Sequence, residues 1–112
     1  MVITMKLGVL GTGMIVQELL PVLAQMNCSP VSILTTERSR ERGEALAKQY
    51  QIRTVLCQYE DLLAGEADTV YVALPNSLHY GYAREALLHG KHVIVEKPIA
   101  ISYKEFCALL LV

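Results

Sequence analysis

The chain has 112 residues, 53% of them apolar and 19% charged, with a formal net charge of −1. That is the size of one domain with one core, and the composition is too apolar for a disordered segment. The basic residues are scattered, which leaves no electrostatic footprint for nucleic acid, and no apolar run approaches the roughly 18 residues that a membrane span needs.

Apolar runs alternate with helical segments along the whole length, without repeats or a linker. Met5-Lys6 reads as a natural start, with residues 1–4 as an extension outside the fold. Residues 6–10 read as a first strand and 13–26 as a helix, with Val16, Leu19, Leu20 and Leu23 at i, i+3, i+4 and i+7. Lys6 and the uncharged stretch that follows it through Gln17 resemble the start of a signal peptide. Glu18 and Pro21 come next with no small-residue cleavage site, so strand-turn-helix is the better reading. Pro21 deletes one hydrogen bond inside that helix and is expected to kink it. A second strand is expected at 31–35. Ser39 is placed as the N-cap of a helix that reaches Tyr50, helped by Glu41 and Glu44. A third strand at 54–57 and a short helical turn at 59–64 follow.

The run 69–74 is continuously apolar, the pattern of a strand buried on both faces. Pro75-Asn76-Ser77 breaks it and opens a helix over 78–89, ended by Gly90. A fifth strand at 92–96 follows, and Ser102-x-x-Glu105 is a capping box that starts a last helix. The alternation predicts an α/β fold with a doubly wound parallel sheet, right-handed crossovers and strand order 3-2-1-4-5. In that order the crevice at the C-terminal ends of strands 1 and 4 is the expected ligand site. Cys28, Cys57 and Cys107 have no metal-ligand spacing, and no metal site is expected. They read as reduced, mostly buried thiols of a cytoplasmic protein.

Four segments are expected to meet at the crevice. In the first, a strand runs straight into Gly11-Thr12-Gly13-Met14-Ile15. Gly11 permits the tight turn, Gly13 has no Cβ to block a pyrophosphate, and backbone N–H groups hold the phosphates. The pattern predicts a bound dinucleotide. The second segment is Glu37-Arg38, 26 residues past Gly11 when counted to Glu37. A carboxylate there accepts from the ribose hydroxyls and repels a 2′-phosphate, so NAD is expected. NADP is the alternative, because Arg38 could pair with that phosphate.

The third segment is Leu74-Pro75-Asn76-Ser77-Leu78-His79, where Asn76 offers an amide to a ribose or carboxamide. For His79, capping or packing competes with a cofactor contact. The fourth is Glu96-Lys97-Pro98. A lysine between an apolar strand and a proline is partly desolvated, which suits an amine that exchanges protons near neutral pH.

These residues resemble the nucleotide-binding Rossmann half of the glucose–fructose oxidoreductase / inositol dehydrogenase (Gfo/Idh/MocA) family. The resemblance rests on Gly11-x-Gly13, Ala73-Leu74-Pro75-Asn76-x-x-His79, Gly90-Lys91-His92-Val93 and Glu96-Lys97-Pro98, and covers nearly the whole chain. It implies that Lys97 contacts the substrate hydroxyl and the nicotinamide ribose. Glu96 and Asn76 would hold the nicotinamide side, and Glu37-Arg38 the adenosine side. It also implies hydride transfer between the cofactor and a secondary alcohol of a sugar or cyclitol.

Val16 stands where the fingerprint has a small third residue, so a slightly wider helix–strand spacing is expected. Relatives carry a second domain that supplies the substrate pocket and usually a catalytic histidine. The 112 residues stop before a sixth strand, so cofactor binding with little turnover is expected. A different reading is a non-catalytic nucleotide-responsive module that self-associates or pairs with a partner through an open sheet edge. A third is another dehydrogenase of the amino-acid or semialdehyde type, against which Glu96-Lys97-Pro98 argues.

Overall fold

A computed structural model describes residues 6–95 of the chain, apart from the side chain of Asn76. Five short parallel strands form one sheet in the order β3-β2-β1-β4-β5, as the alternation predicts. They are β1 (Leu7–Leu10), β2 (Ser32–Leu34), β3 (Thr54–Leu56), β4 (Thr69–Val72) and β5 (His92–Val95). Helices α1 (Met14–Gln25), α2 (Arg40–Tyr50), α3 (Tyr59–Ala64) and α4 (His79–Leu88) connect them. A 3-10 turn, Asn76–Leu78, precedes α4. The last helix expected from Ser102, together with Glu96, Lys97 and Cys107, lies outside the described residues.

The sheet divides the single core expected from chain length into two clusters, one on each face, and register explains the division. Val9 pairs with Ile33 and Tyr71, and Leu10 with Leu34 and Val72, so alternate residues face opposite sides. On one side Leu7, Val9 and Ile33 pack under Val16, Leu20 and Leu23 of α1 and Leu46 of α2. On the other, Leu10, Leu34, Val70 and Val72 pack under Leu62 and Leu63 of α3 and Ala86 of α4. Each fully buried aliphatic side chain contributes roughly 1.5–3 kcal/mol. The helical stripe on α1 is therefore the element that covers β1, and Val16 is wholly buried as part of it. Its branched side chain serves as core.

Several expected boundaries move. Strand β4 stops at Val72: Ala73 N–H still donates to the Leu10 carbonyl (3.2 Å), but Pro75 has no N–H to continue the ladder. Helix α1 continues through Pro21, whose ring lies on the exposed side. Ser39 occupies the N-cap position of α2, yet its side chain makes no cap bond. Its Oγ instead accepts from Thr36 N–H (3.0 Å), while Ser39 N–H donates to Thr36 Oγ1 (3.1 Å). The hydroxyl is consumed by closing the turn behind β2, which is the local competition Ser and Thr offer to a helix start. Left-handed residues follow three helices: Asn27 (φ 56°), Gln51 (φ 59°) and Gly90 (φ 73°).

The end of the sheet away from the strand exits is tied by Asp68. Its Oδ1 accepts from Lys6 N–H (3.0 Å) and from Thr69 Oγ1 (2.9 Å), joining the start of β1 to the start of β4. Desolvation alone would raise this carboxyl's pKa, but the two donors hold it below the ordinary carboxylate value. A folded pKa below the unfolded one adds stability that is present above the unfolded value and is lost as pH falls through the folded one. Thermal unfolding scans below pH of about 4 are expected to show this loss, with a shallower slope for Asp68→Asn. An unchanged slope in the variant would exclude Asp68 as a source.

Candidate functional site

The strand exits of β1, β2, β3 and β4 enclose one groove of about 590 Å³. Its floor is the turn Gly11-Thr12-Gly13. Gly11 has φ +108°, and a Cβ there would sit 2.8 Å from the Ala73 carbonyl oxygen and 3.3 Å from Leu74 Cδ2. The turn is anchored by Gly11 N–H, which donates to the Leu34 carbonyl (2.9 Å). Gly13 differs. Its backbone is ordinary (φ −78°), and a Cβ would meet no protein atom within 4 Å. The space above it opens toward solvent and groove.

Gly13 is also the N-cap of α1, with no side-chain cap. The first intrahelical bond is Gln17 N–H to Gly13 carbonyl (3.0 Å), so the amides of Met14, Ile15 and Val16 precede it. A helix N-terminus with uncapped amides carries partial positive charge and suits an anion. The side chains of Met14 and Ile15 point outward, Met14 being 75% exposed, and do not line the groove. Gln17 Nε2 donates to the Thr12 carbonyl (3.1 Å), which steadies the turn from the helix side.

The second wall is the exit of β2. Thr35, Thr36, Glu37 and Ser39 line it, with the Thr36–Ser39 hydrogen bonds holding Glu37 at the tip of the turn. Arg38 faces elsewhere: it lines an adjoining depression with Arg42 and Glu41, sharing only Thr36 and Ser39 with the main groove. Gly43 makes this wall compact. A Cβ there would overlap Thr35 Cγ2, so the glycine lets α2 press against the strand exit.

The third wall comes from β4. Leu74 and Pro75 line the groove; Asn76 begins the 3-10 turn that follows. His79 lies behind this wall, 2% exposed, and does not line the groove. Its Nε2 stands 2.7 Å from the Leu74 carbonyl.

A fourth wall has no counterpart in the motif reading. Cys57, Gln58 and Tyr59 from the exit of β3, with Tyr82 from α4, complete the enclosure. Tyr59 Oη donates to the Tyr82 carbonyl (2.7 Å), and the two rings stand 4.7 Å apart. Burial, then the nearby Glu85 carboxylate, push the Tyr59 phenol above the usual tyrosine range, so it remains a donor. Cys57 Sγ lies 3.4 Å from Thr35 Oγ1. Both Cys28 and Cys57 are free and half-buried rather than fully buried. The signal for this wall was strand order and parallel pairing alone, since β3 exits at the same end of the sheet as β1, β2 and β4.

The geometry is that of a doubly wound dinucleotide-binding domain: a parallel sheet, a glycine turn at the first strand exit, and an acidic residue at the second. Residues 5–111 match the family described as "Oxidoreductase family, NAD-binding Rossmann fold", and the chain belongs to this Gfo/Idh/MocA family. It is therefore an NAD(P)-binding Rossmann domain. Similar proteins include D-xylose 1-dehydrogenase (NADP(+)) 2 of Haloferax volcanii, 36% identical over 107 residues, covering 94% of this chain and 32% of that protein. Another is scyllo-inositol 2-dehydrogenase (NADP(+)) of Bacillus subtilis, 31% identical over 101 residues, covering 89% of this chain and 30% of that protein.

Among solved structures, the WlbA dehydrogenase of Bordetella pertussis with NADH and UDP-GlcNAcA superposes with a TM-score of 0.84 at 28% identity, covering 96% of this chain and 33% of that one. A 3-ketoreductase of Actinomadura kijaniata with NADP and TDP-benzene gives 0.83 at 30%, with 96% and 33% covered. The chain thus spans about a third of the length of the relatives it matches. Among the described residues no helix is long and apolar enough to cross a membrane.

Proposed function

We propose that the groove holds NAD(H), as the cofactor site of an oxidoreductase acting on a secondary alcohol of a sugar or cyclitol. The observation that carries this is convergence: the Gly11–Gly13 turn, Glu37 and the Leu74–Pro75 wall bound one cavity. Gly13 leaves space where a pyrophosphate would lie, and the amides of Met14 and Ile15 begin an uncapped helix. Glu37, inside the groove, supports ribose hydroxyls as partners. The same carboxylate would repel a 2′-phosphate, so NAD is preferred over NADP, with Arg38 in the adjoining depression as the residue that would favour NADP.

A bound nicotinamide supplies hydride donor and acceptor chemistry. The chain's own part is to hold the dinucleotide and to exchange a proton. Asn76 and Glu96 are assigned to the nicotinamide side, and Lys97 to the amine that takes or returns the hydroxyl proton. These roles follow the family pattern Glu96-Lys97-Pro98. The alcohol is assigned by similarity to the D-xylose and scyllo-inositol dehydrogenases.

The chain has no tryptophan, so cofactor emission can be followed directly on titration. NADH is expected to bind, and more tightly than NADPH. No binding of either at millimolar concentration rejects the site; tighter NADPH binding rejects the role of Glu37.

A further inference from the structure

We infer that His79 is a positioning residue for the cofactor groove, acting through the backbone of Leu74 rather than by contact with the ligand. The inference rests on the cofactor reading of the groove.

The imidazole is 2% exposed and stands at the first residue of α4, on the protein side of the wall. Nε2 lies 2.7 Å from the Leu74 carbonyl oxygen. A carbonyl only accepts, so the proton is on Nε2 and the ring donates. Leu74 sits two residues beyond the last paired residue of β4, Val72, where the sheet no longer fixes the backbone. Pro75 follows and brings no N–H. The chain here is turning from strand to helix with little ladder support, and the histidine supplies a tether.

That tether has consequences on the groove side. The Leu74 side chain lines the cavity and packs toward the glycine turn, since a Cβ on Gly11 would come within 3.3 Å of Leu74 Cδ2. The carbonyl of the preceding residue, Ala73, lies against the same turn. Fixing the Leu74 carbonyl from behind therefore fixes the distance between the β4 wall and the phosphate turn. The Leu78 N–H to Pro75 carbonyl bond (2.9 Å) closes the turn that delivers His79 to this position. A buried side chain then controls the width of a site it does not touch.

The experiment pairs His79→Leu, which removes the donor at similar volume, with His79→Gln, whose Nε2 can reach the same carbonyl. Titrating NADH into each full chain, His79→Leu is expected to bind about tenfold more weakly, the size of one lost buried hydrogen bond. His79→Gln is expected to recover most of that loss. Wild-type affinity in a folded His79→Leu overturns the inference, as does a His79→Gln that melts like wild type yet binds as weakly as His79→Leu. If His79→Leu does not fold, a His79→Gln that melts like wild type yet binds NADH about tenfold or more weakly than wild type overturns the inference, and one within a few-fold of wild type upholds it.

Two measurements on the free chain separate this inference from the cofactor reading. The long-range 1H–15N spectrum of His79 is expected to place the proton on Nε2, and amide exchange at Ala73 and Leu78 is expected to quicken in His79→Leu. A proton on Nδ1 alone, or unchanged exchange, overturns the positioning role. A wild-type chain that passes both but binds no NADH overturns the cofactor reading instead.

Discussion

Gly13→Val is expected to abolish most dinucleotide affinity while leaving the fold in place. The structure separates the two effects because a Cβ at residue 13 has no protein neighbour within 4 Å, and the backbone there has φ −78°, which any residue adopts. The branched side chain would instead occupy the space over the first amides of α1. Losing two hydrogen bonds to a charged phosphate costs about 3 kcal/mol, or on the order of 100-fold in Kd. The stability change at an uncapped helix start is expected to stay within about 1 kcal/mol. Calorimetric titration and a thermal melt on the same sample check both halves. Unchanged NADH affinity would show that the pyrophosphate lies elsewhere; a collapsed melt would show that Gly13 is a packing residue.

Most of the architecture was legible in the residues because the period of apolar side chains switches cleanly between strand and helix. Val9, Ile33 and Val70 sit in runs too short for helices, and Val16-Leu20-Leu23 repeats at helical spacing. The strand order is that of a doubly wound sheet opened by a glycine turn at its first strand exit, which the strand–helix alternation pointed to. What escaped was side-chain direction. Glu37 and Arg38 are neighbours in sequence, yet successive residues of a turn point apart, and they line different depressions. Ser39 stands where a cap belongs, but Thr36 takes its hydroxyl.

The β3 wall, Cys57-Gln58-Tyr59, carries no motif and became part of the site only through tertiary placement. Gly43 is the plainest case. A glycine inside a helix costs roughly 1 kcal/mol against alanine, and from sequence alone it is a blemish in α2. Its use is visible only when Thr35 is seen against it.

The other glycine of the turn predicts the opposite behaviour. Gly11→Ala is expected to cost the fold first and the ligand second. At φ +108° an L side chain is strained wherever it points, which costs on the order of 1–3 kcal/mol. The added Cβ would also press on the Ala73 carbonyl oxygen at 2.8 Å, a backbone atom held in place by the Ala73 N–H bond to Leu10. No flexible side-chain end is there to yield, so the strands β1 and β4 must part or the turn must rotate away from the Leu34 carbonyl that anchors it. Together these amount to about 3 kcal/mol, which for a domain of this size lowers Tm by on the order of 15 °C. A Gly11→Ala chain that melts with wild type would mean that the turn has room the backbone geometry denies. One motif therefore contains two glycines with separable reasons, one that lets the chain turn and one that leaves room for the phosphate. A double variant should show their costs in different assays, stability for residue 11 and affinity for residue 13.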